Sequence, residues 1–218
     1  FDMGTRREFT AIKDVSFVIE DLPGIGEFIG ILGPSGCGKT SLLSVAAGVL
    51  SDPAARNYVD AVAWHCYGGD VAAQSPVHDA FPDKDAYMTE CSGGDWEPVR
   101  SGGLPLQAKN IIIRSMRHWA RGALFWNLAL DENNGPYAGG CHTCRGVVTI
   151  DSRTGEITRT DEYYALAHAS RFVRAGAYRI ASSEGGDGLD NVAFLNPDGS
   201  RVLLVVNSDA APRGFRVS

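Results

Sequence analysis

Short, mostly apolar runs that end in polar or aromatic residues recur through the middle of the chain. Three such runs, at residues 59–64, 85–89 and 122–125, have the length of buried strands. Between the second and third runs, Ile112, Met116 and Trp119 recur at helical spacing within residues 111–119, which predicts a helix that packs by one face. Strand, polar tip and helix therefore follow one another in the order of a (β/α)₈ barrel, in which the chemical residues lie where strands end.

After residue 147 the pattern changes to short strands separated by turn-forming residues. The predicted turns are residues 151–155, DSRTG, and residues 196–199, NPDG. Short strands with turns at this spacing are typical of an antiparallel β-sandwich. Tyr163, Tyr164 and His168 recur at near-helical spacing inside this segment, and we expect them to pack against the barrel.

The first 50 residues have the order strand, turn, strand, glycine-rich loop and helix. Residues 33–40, GPSGCGKT, fit the full P-loop pattern and precede an apolar helix. Backbone N–H groups of such a loop and the positive end of the helix dipole hold a phosphate, while Lys39 reaches the outer phosphates and Thr40 binds Mg²⁺. The pattern predicts that ATP and Mg²⁺ are bound by Gly33, Ser35, Gly36, Gly38, Lys39, Thr40 and Ser41.

Residues 9–50 also resemble the start of an ATP-binding-cassette transporter ATPase of the nitrate, sulfonate and taurine importer type. The resemblance implies that an aromatic side chain, here Phe9, stacks on adenine. Such an ATPase carries later motifs, for which residues 91–95 and 128–132 are the candidates. Pro98 opposes the helix that should follow the first candidate, and the acidic pair that ends the second lies farther along the chain than that family places it. This ATPase is the competing interpretation of the chain.

The composition is that of an ordinary soluble globular protein, with 44% hydrophobic and 21% charged residues. A net charge of −6 argues against a nucleic-acid partner, because such proteins concentrate basic residues on one face. No apolar run approaches the roughly 20 residues needed to span a bilayer. The first residues lack the basic start and apolar stretch of a secretory signal, and no metal site is predicted.

Three strand tips carry distinctive motifs: WHCY at residues 64–67, TECSG at residues 89–93, and WNLALD at residues 126–131 with a Gly-Pro pair at 135–136. In this order they resemble family 30 glycoside hydrolases, in the subgroup that includes the glucosylceramidases. Residues 168–180 and 196–200 resemble the β-sandwich that accompanies that barrel. The resemblance covers about 160 residues and implies strands 6, 7 and 8 of the barrel together with much of the sandwich.

The resemblance implies that Glu90, at the end of strand 7, is the catalytic nucleophile of a retaining β-glycosidase. Such an enzyme attacks the anomeric carbon with one carboxylate and protonates the leaving oxygen with a second, about 5 Å away. His65 and Tyr67 lie two positions apart on one strand end, so both can point the same way. Both would form hydrogen bonds with the nucleophile or with the sugar. Trp126 would form a flat apolar wall for a sugar face, with Asn127 beside it.

The second carboxylate has no counterpart in the sequence. The family takes its acid/base glutamate from the end of strand 4, and the P-loop segment stands where strands 1 to 5 would be. Glu97 and Glu132 are loop acids, and nothing in the sequence indicates that either is the acid/base residue. Loss of general acid catalysis typically costs about 10²–10⁴ in rate, so we expect that this chain alone does not turn over a glycoside. An unclosed barrel edge also favours self-association.

Cys141 and Cys144 form a CxxC pair in a glycine-rich loop. One pair supplies two ligands where structural zinc requires four, and a redox motif would open a helix, whereas residues 145–150 resemble a strand. A loop-closing disulfide is therefore favoured over free thiols and over a metal or redox pair. The family resemblance includes bacterial members with a similar loop, which suits a secreted protein from an oxidising compartment.

Together these features predict a mixed fold, in which a partial (β/α)₈ barrel of the last three strands and a truncated antiparallel β-sandwich follow a P-loop strand–helix fragment. The predicted bounds are 1–50 for the P-loop fragment, 51–57 for a junction, 58–146 for the barrel part and 147–218 for the sandwich. The predicted function is that of a retaining β-glycoside hydrolase fragment, which acts on a carbohydrate or glycolipid without a cofactor. An ATP-binding protein and an inert binding remnant are the alternatives.

Overall fold

The computed structural model describes residues 48–96, 103–137, 139–186 and 188–217. The chain divides into two compact units, Phe1–Val59 and Asp60–Ser218. The described part of the first unit includes a 3₁₀ helix at Ala55–Tyr58. The predicted nucleotide-binding residues, Phe9 and those within residues 33–41, lie outside the described residues. The sheets of the described region and the predicted glycosidase residues all belong to the second unit.

A parallel sheet with three described strands opens the second unit. Its strands are β1 (Ala61–His65), β2 (Asp85–Glu90) and β3 (Ala120–Ala123), hydrogen-bonded in the order β1-β2-β3. Parallel neighbours require a crossover connection, and a 3₁₀ helix (Val71–Ala73) followed by α1 (Gln74–Ala80) provides it between β1 and β2. The three predicted strands are confirmed, although β3 begins two residues before its predicted start.

One helical segment connects β2 with β3. It consists of α2 (Gly103–Gln107), a π-helix (Ala108–Arg114) and α3 (Ser115–Arg117). Ile111 and Ile112 share a core cluster with Met88 of β2. Ile113 belongs to a second cluster with Phe194, so consecutive isoleucines of one segment pack against two different parts of the fold.

The helical segment ends before Trp119, which the spacing wrongly included. Its last helical residue is Arg117, and Trp119 has a φ of 79°, in the left-handed region that interrupts a helix. The Trp119 indole stacks on the His78 ring at a centroid separation of 3.9 Å, and the guanidinium carbon of Arg179 lies 4.5 Å from its ring centroid. Trp119 therefore packs outside the helix.

A second sheet follows the tip of β3. It contains β4 (Ala129–Leu130), β5 (Val148–Ile150) and β6 (Ile157–Arg159), with β4 parallel and β6 antiparallel to β5. The predicted turn between β5 and β6 is confirmed, because the Gly155 N–H donates to the Asp151 carbonyl at 2.8 Å. Gly155 has a φ of 73°, which a residue without a side chain adopts at no steric cost.

The segment predicted as sandwich contains a helix, α4 (Asp161–Ser170). Its buried residues are Glu162 and Ala165, whereas Tyr164 and His168 are exposed. The prediction that Tyr164 and His168 pack against the barrel is therefore wrong. Helical spacing correctly placed Tyr164 and His168 on one face of this helix. The face that packs inward is a different one, and it carries Glu162.

An antiparallel sheet ends the described chain. Its strands are β7 (Tyr178–Ile180), β8 (Leu189–Leu195) and β9 (Arg201–Asn207), in the order β7-β8-β9. The predicted turn after β8 is confirmed by a hydrogen bond from the Asn196 N–H to the Ser200 carbonyl at 2.9 Å. Among the residues that the structure describes, no helix combines the length and apolarity that a membrane span requires.

Candidate active site

Glu90 is the last residue of β2 and lies beside His65, the last residue of β1. The two are register partners, with an irregularity between Trp64 and His65, and the Cys66 N–H donates to the Glu90 carbonyl at 3.2 Å. Parallel strands end at the same edge of a sheet, and successive side chains alternate between its faces. Their carboxyl-terminal tips therefore bring residues 65–67 and 90–92 together.

The Glu90 carboxylate is partly open to solvent. Met88, two positions earlier on the same face of β2, is buried, whereas the Glu90 side chain is 24% exposed. Oε2 of Glu90 lies 3.7 Å from Nε2 of His65, whose side chain is 37% exposed. The sheet thus presents one carboxylate at the border between its core and the solvent, with an imidazole in ion-pair range.

Tyr67 lies beside this carboxylate. Its ring is edge-on to the His65 ring at a centroid separation of 6.0 Å, and Glu90 and Ser92 both influence the pKa of its hydroxyl. Burial raises the pKa of the Tyr67 hydroxyl to about 12, against the Ser92 hydrogen bond and with help from the charge and hydrogen bond of Glu90. Tyr67 is therefore a neutral donor at physiological pH. The structure brings His65, Tyr67 and Glu90 together, as expected from the sequence.

A disulfide that sequence reasoning missed joins the two strand tips. Cys66 and Cys91 are bonded across 25 residues, with their Cα atoms 5.4 Å apart. Each cysteine follows a predicted site residue, His65 or Glu90. That placement was the available signal, because residues that directly follow paired parallel strands face each other.

Trp126 and Asn127 lie next to the tip of β2. The Trp126 N–H donates to the Cys91 carbonyl at 2.7 Å, which extends the pairing of β2 beyond β3. The Trp126 side chain is exposed, and Asn127 has a φ of 71°, a left-handed conformation that asparagine tolerates. A shallow recess beside them is lined by Trp126, Asn127, Leu130, Pro136, Tyr137, Gly140 and Cys141.

The predicted disulfide between Cys141 and Cys144 is confirmed. Its loop pairs with the residues that follow Glu90, because Gly94 and Cys144 form an antiparallel bridge. The Asp95 N–H also donates to the Thr143 carbonyl at 2.9 Å. The CxxC loop therefore supports the segment that leaves the tip of β2.

A buried ion pair between Arg145 and Glu162 lies beside the segment that follows Glu90. Oε1 of Glu162 lies 3.2 Å from a guanidinium nitrogen of Arg145, and the Glu162 side chain is 1% exposed. The Arg145 N–H donates to the Gly93 carbonyl at 2.9 Å. A Cβ atom on Gly93 would lie 1.6 Å from Oε1 of Glu162, so any larger residue would have to displace this buried carboxylate. Nothing in the sequence pattern pointed to this pair.

The acids of the competing ATPase motif stabilise turns. Oδ1 of Asp131 accepts the N–H groups of Asn133 and Gly135 at 2.8 and 2.7 Å. Glu132 accepts the Ser152 hydroxyl and N–H, and these hydrogen bonds lower the pKa of its carboxyl group. The other loop acid, Glu97, lies outside the described residues. Within residues 48–96, 103–137, 139–186 and 188–217, no group of three or more His, Cys, Asp or Glu could hold a metal ion.

Comparison with known proteins identifies the family. The TIM-barrel domain of glycosyl hydrolase family 30 matches residues 38–173, and the β-sandwich domain of the same family matches residues 176–218. The chain belongs to glycoside hydrolase family 30. The partial barrel with a sandwich fits this fold, and the family 30 match begins inside the predicted P-loop. None of these matches supports the ATPase fragment or a bound ATP.

Similar proteins include enzymes with two different names. The endo-1,6-β-D-glucanase BGN16.3 of Trichoderma harzianum is 37% identical over 163 residues, which cover 71% of this chain and 32% of that protein. The lysosomal acid glucosylceramidase of Mus musculus is 33% identical over 174 residues, covering 73% and 33%. The chain therefore spans about a third of the length of the curated relatives that it matches.

Solved structures share the fold of this chain. The endo-β1,6-glucanase BT3312 superposes with a TM-score of 0.71 at 34% identity, covering 77% of this chain and 38% of that one. SrfJ from Salmonella typhimurium gives a TM-score of 0.69 at 28% identity, covering 78% and 39%. In both comparisons the matched region is again a minor part of the partner chain.

Proposed function

We propose that this chain carries the nucleophile half of a retaining β-glycosidase, with Glu90 as the nucleophile. The supporting observation is the environment of Glu90, whose carboxylate lies at the end of β2, 3.7 Å from His65 and close enough to Tyr67 to raise the pKa of that hydroxyl. A strand-end position is also where barrel enzymes hold their chemical groups.

The proposed chemistry is a double displacement at the anomeric carbon. An oxygen of Glu90 forms a bond to that carbon while the bond to the leaving oxygen breaks, and the leaving group departs with that electron pair. A general acid must protonate an ordinary sugar leaving group. In the second displacement water attacks the anomeric carbon of the glycosyl ester and loses its proton to a base or to solvent. The bond to Glu90 breaks, Glu90 leaves as a carboxylate, and two inversions give net retention.

The general acid comes from outside the described residues. By resemblance β1, β2 and β3 correspond to strands 6, 7 and 8, whereas the family takes its acid/base glutamate from strand 4. The described region alone therefore forms an intermediate only from glycosides whose leaving group departs without a proton. Natural glycosides need the remaining strands.

The proposed substrate class is a β-1,6-linked glucan. Relatives named endo-1,6-β-D-glucanase are 35–37% identical to this chain, and the solved endo-β1,6-glucanase is 34% identical. A glucosylceramide is the alternative, because the mouse glucosylceramidase is 33% identical. Saturation binding to β-1,6-glucan oligosaccharides supports the first, and binding to glucosylceramide micelles alone supports the second.

Two disulfides also support an oxidising compartment for this protein.

Covalent labelling tests the nucleophile. With 2-deoxy-2-fluoro-β-glucosyl fluoride, fluoride leaves unprotonated, so Glu90 is expected to acquire one sugar, located by peptide mass mapping. E90Q is expected to remain unlabelled, while the matched control E132Q, at an exposed loop acid, labels like the wild type. A folded chain that stays unlabelled, or that labels at another acid, contradicts the proposal.

The nucleotide-binding alternative depends on the sequence of residues 33–40 alone. It predicts an affinity for Mg-ATP that K39A abolishes. Titration of the full chain with Mg-ATP, with K39A as its control, separates the two functions without any sugar.

A further inference from the structure

Residues 65–67 at the end of β1 lie against residues 90–92 at the end of β2. His65 lies 3.7 Å from Glu90, Cys66 is disulfide-bonded to Cys91, and the Tyr67 ring is edge-on to the His65 ring at a centroid separation of 6.0 Å. The covalent contact joins the middle residues of the two groups. We call residues 65–67 and 90–92 the tip ladder.

We propose that the Cys66–Cys91 disulfide is a positioning element, which holds Tyr67 and His65 against the Glu90 carboxylate. Its consequence for catalysis rests on the proposed role of Glu90. Its consequence for the geometry of Tyr67 does not, and can be measured without a glycoside.

The disulfide ties the outer part of the tip ladder to the core. Cys91 is 4% exposed and belongs to the same core cluster as Met88. Tyr67, in contrast, is 45% exposed and precedes Gly68 and Gly69, the latter with a φ of 79°, where the chain leaves the sheet. The bond at position 66 thus anchors the residue next to Tyr67 at the point where regular strand pairing ends.

The second disulfide is a natural control. Cys141 and Cys144 are three residues apart and close only their own loop, so this bond constrains few conformations of the chain. Sγ of Cys144 lies 3.4 Å from the Ser92 hydroxyl. Removal of the second disulfide therefore disturbs the neighbourhood of the tip ladder without cutting it.

The ionisation of Tyr67 at pH 11 is the test. In the full chain with ¹³Cζ-labelled tyrosine, the Tyr67 resonance is assigned by its loss in Y67F. A group of pKa about 12 is ~10% ionised at pH 11, whereas an ordinary tyrosine is ~90% ionised. We expect the low ionised fraction of Tyr67 in the wild type and in C141S/C144S. In C66A/C91A and in the better-filled C66A/C91V, a mostly ionised Tyr67 is expected, because it moves into water and away from Glu90.

Each other outcome overturns the inference. A bridge-free variant that keeps Tyr67 protonated at pH 11 shows that packing alone positions the ring. Free thiols at positions 66 and 91, found by alkylation and mass mapping in folded wild type with a protonated Tyr67, show the same. If neither bridge-free variant folds, the bond is a folding requirement and not a positioning element. None of these outcomes depends on whether Glu90 reacts with a sugar.

Discussion

Tyr67 lies beside Glu90 across the tips of two parallel strands, close enough for the Glu90 carboxylate to raise the pKa of the Tyr67 hydroxyl. Burial, and then the negative charge of Glu90, outweigh the Ser92 hydrogen bond and raise the pKa of this phenol to about 12. The Tyr67 hydroxyl therefore keeps its proton over the whole physiological range, as a neutral neighbour of Glu90.

The pH dependence of stability should report this contact. A folded-state pKa above the unfolded value of about 10 means that the folded state binds the proton more tightly. The resulting stabilisation is complete below pH 10 and is lost as the pH rises towards 12. We expect the free energy of unfolding in urea to fall more steeply between pH 9 and 11.5 for the wild type than for Y67F. Y178F, at an exposed tyrosine of β7, should keep the wild-type slope; equal slopes for all three proteins would refute the coupling.

Gly93 should tolerate no side chain. G93A places a methyl group 1.6 Å from Oε1 of the buried Glu162, and such overpacking is expected to cost about 3 kcal/mol of unfolding free energy. G68A is the matched control, because no atom lies within 4 Å of its new Cβ, and its change should stay within about 0.5 kcal/mol. Chemical denaturation of both variants measures the difference. Similar stabilities for the two would contradict the described packing.

The buried ion pair should matter more than a surface pair. E162A leaves the Arg145 guanidinium, 13% exposed, without its carboxylate, and the expected cost is about 3 kcal/mol. R153A removes the ion pair between Arg153 and Asp151, in which the arginine side chain is 82% exposed. Its free energy of unfolding is expected to change by no more than about 0.5 kcal/mol. Urea unfolding compares the two. If E162A is as stable as R153A, the buried pair does not hold the segment after β2.

Trp126 should contribute to sugar affinity more than to folding. Its indole is 47% exposed beside the tip of β2, so W126A is expected to weaken binding of a β-1,6-glucan oligosaccharide by about tenfold, equivalent to about 1.4 kcal/mol. L128A, which truncates a side chain that is 76% exposed two positions away, should bind like the wild type. Calorimetric titration measures both affinities. Equal affinities would remove Trp126 from the binding surface.

The strand tips could be predicted from the sequence because their signal is local. Apolar runs that end at His65 and Glu90 predicted two strands, and the parallel order then brought both side chains to one edge. The Cys66–Cys91 bond could have followed from the same reasoning. The sequence predicted only the disulfide of the CxxC pair, because its two cysteines are close in sequence.

Long-range partners could not be predicted in the same way. The buried pair of Glu162 and Arg145 depends on where α4 meets the loop after β2, which no periodicity encodes. Helical spacing related Tyr164 to His168 but did not reveal that their face is open to solvent. A charged side chain is a poor candidate for the inward face until its partner is known.

The most direct test of Glu90 as nucleophile is chemical rescue by azide. E90G removes the carboxylate, and with 2,4-dinitrophenyl β-glucoside the leaving group departs without a proton, so azide can occupy the vacated position and attack the anomeric carbon. We expect α-glucosyl azide, identified by NMR, from E90G but not from the wild type or E132G. β-Glucosyl azide, or no azide product from a folded E90G chain, would contradict this role of Glu90.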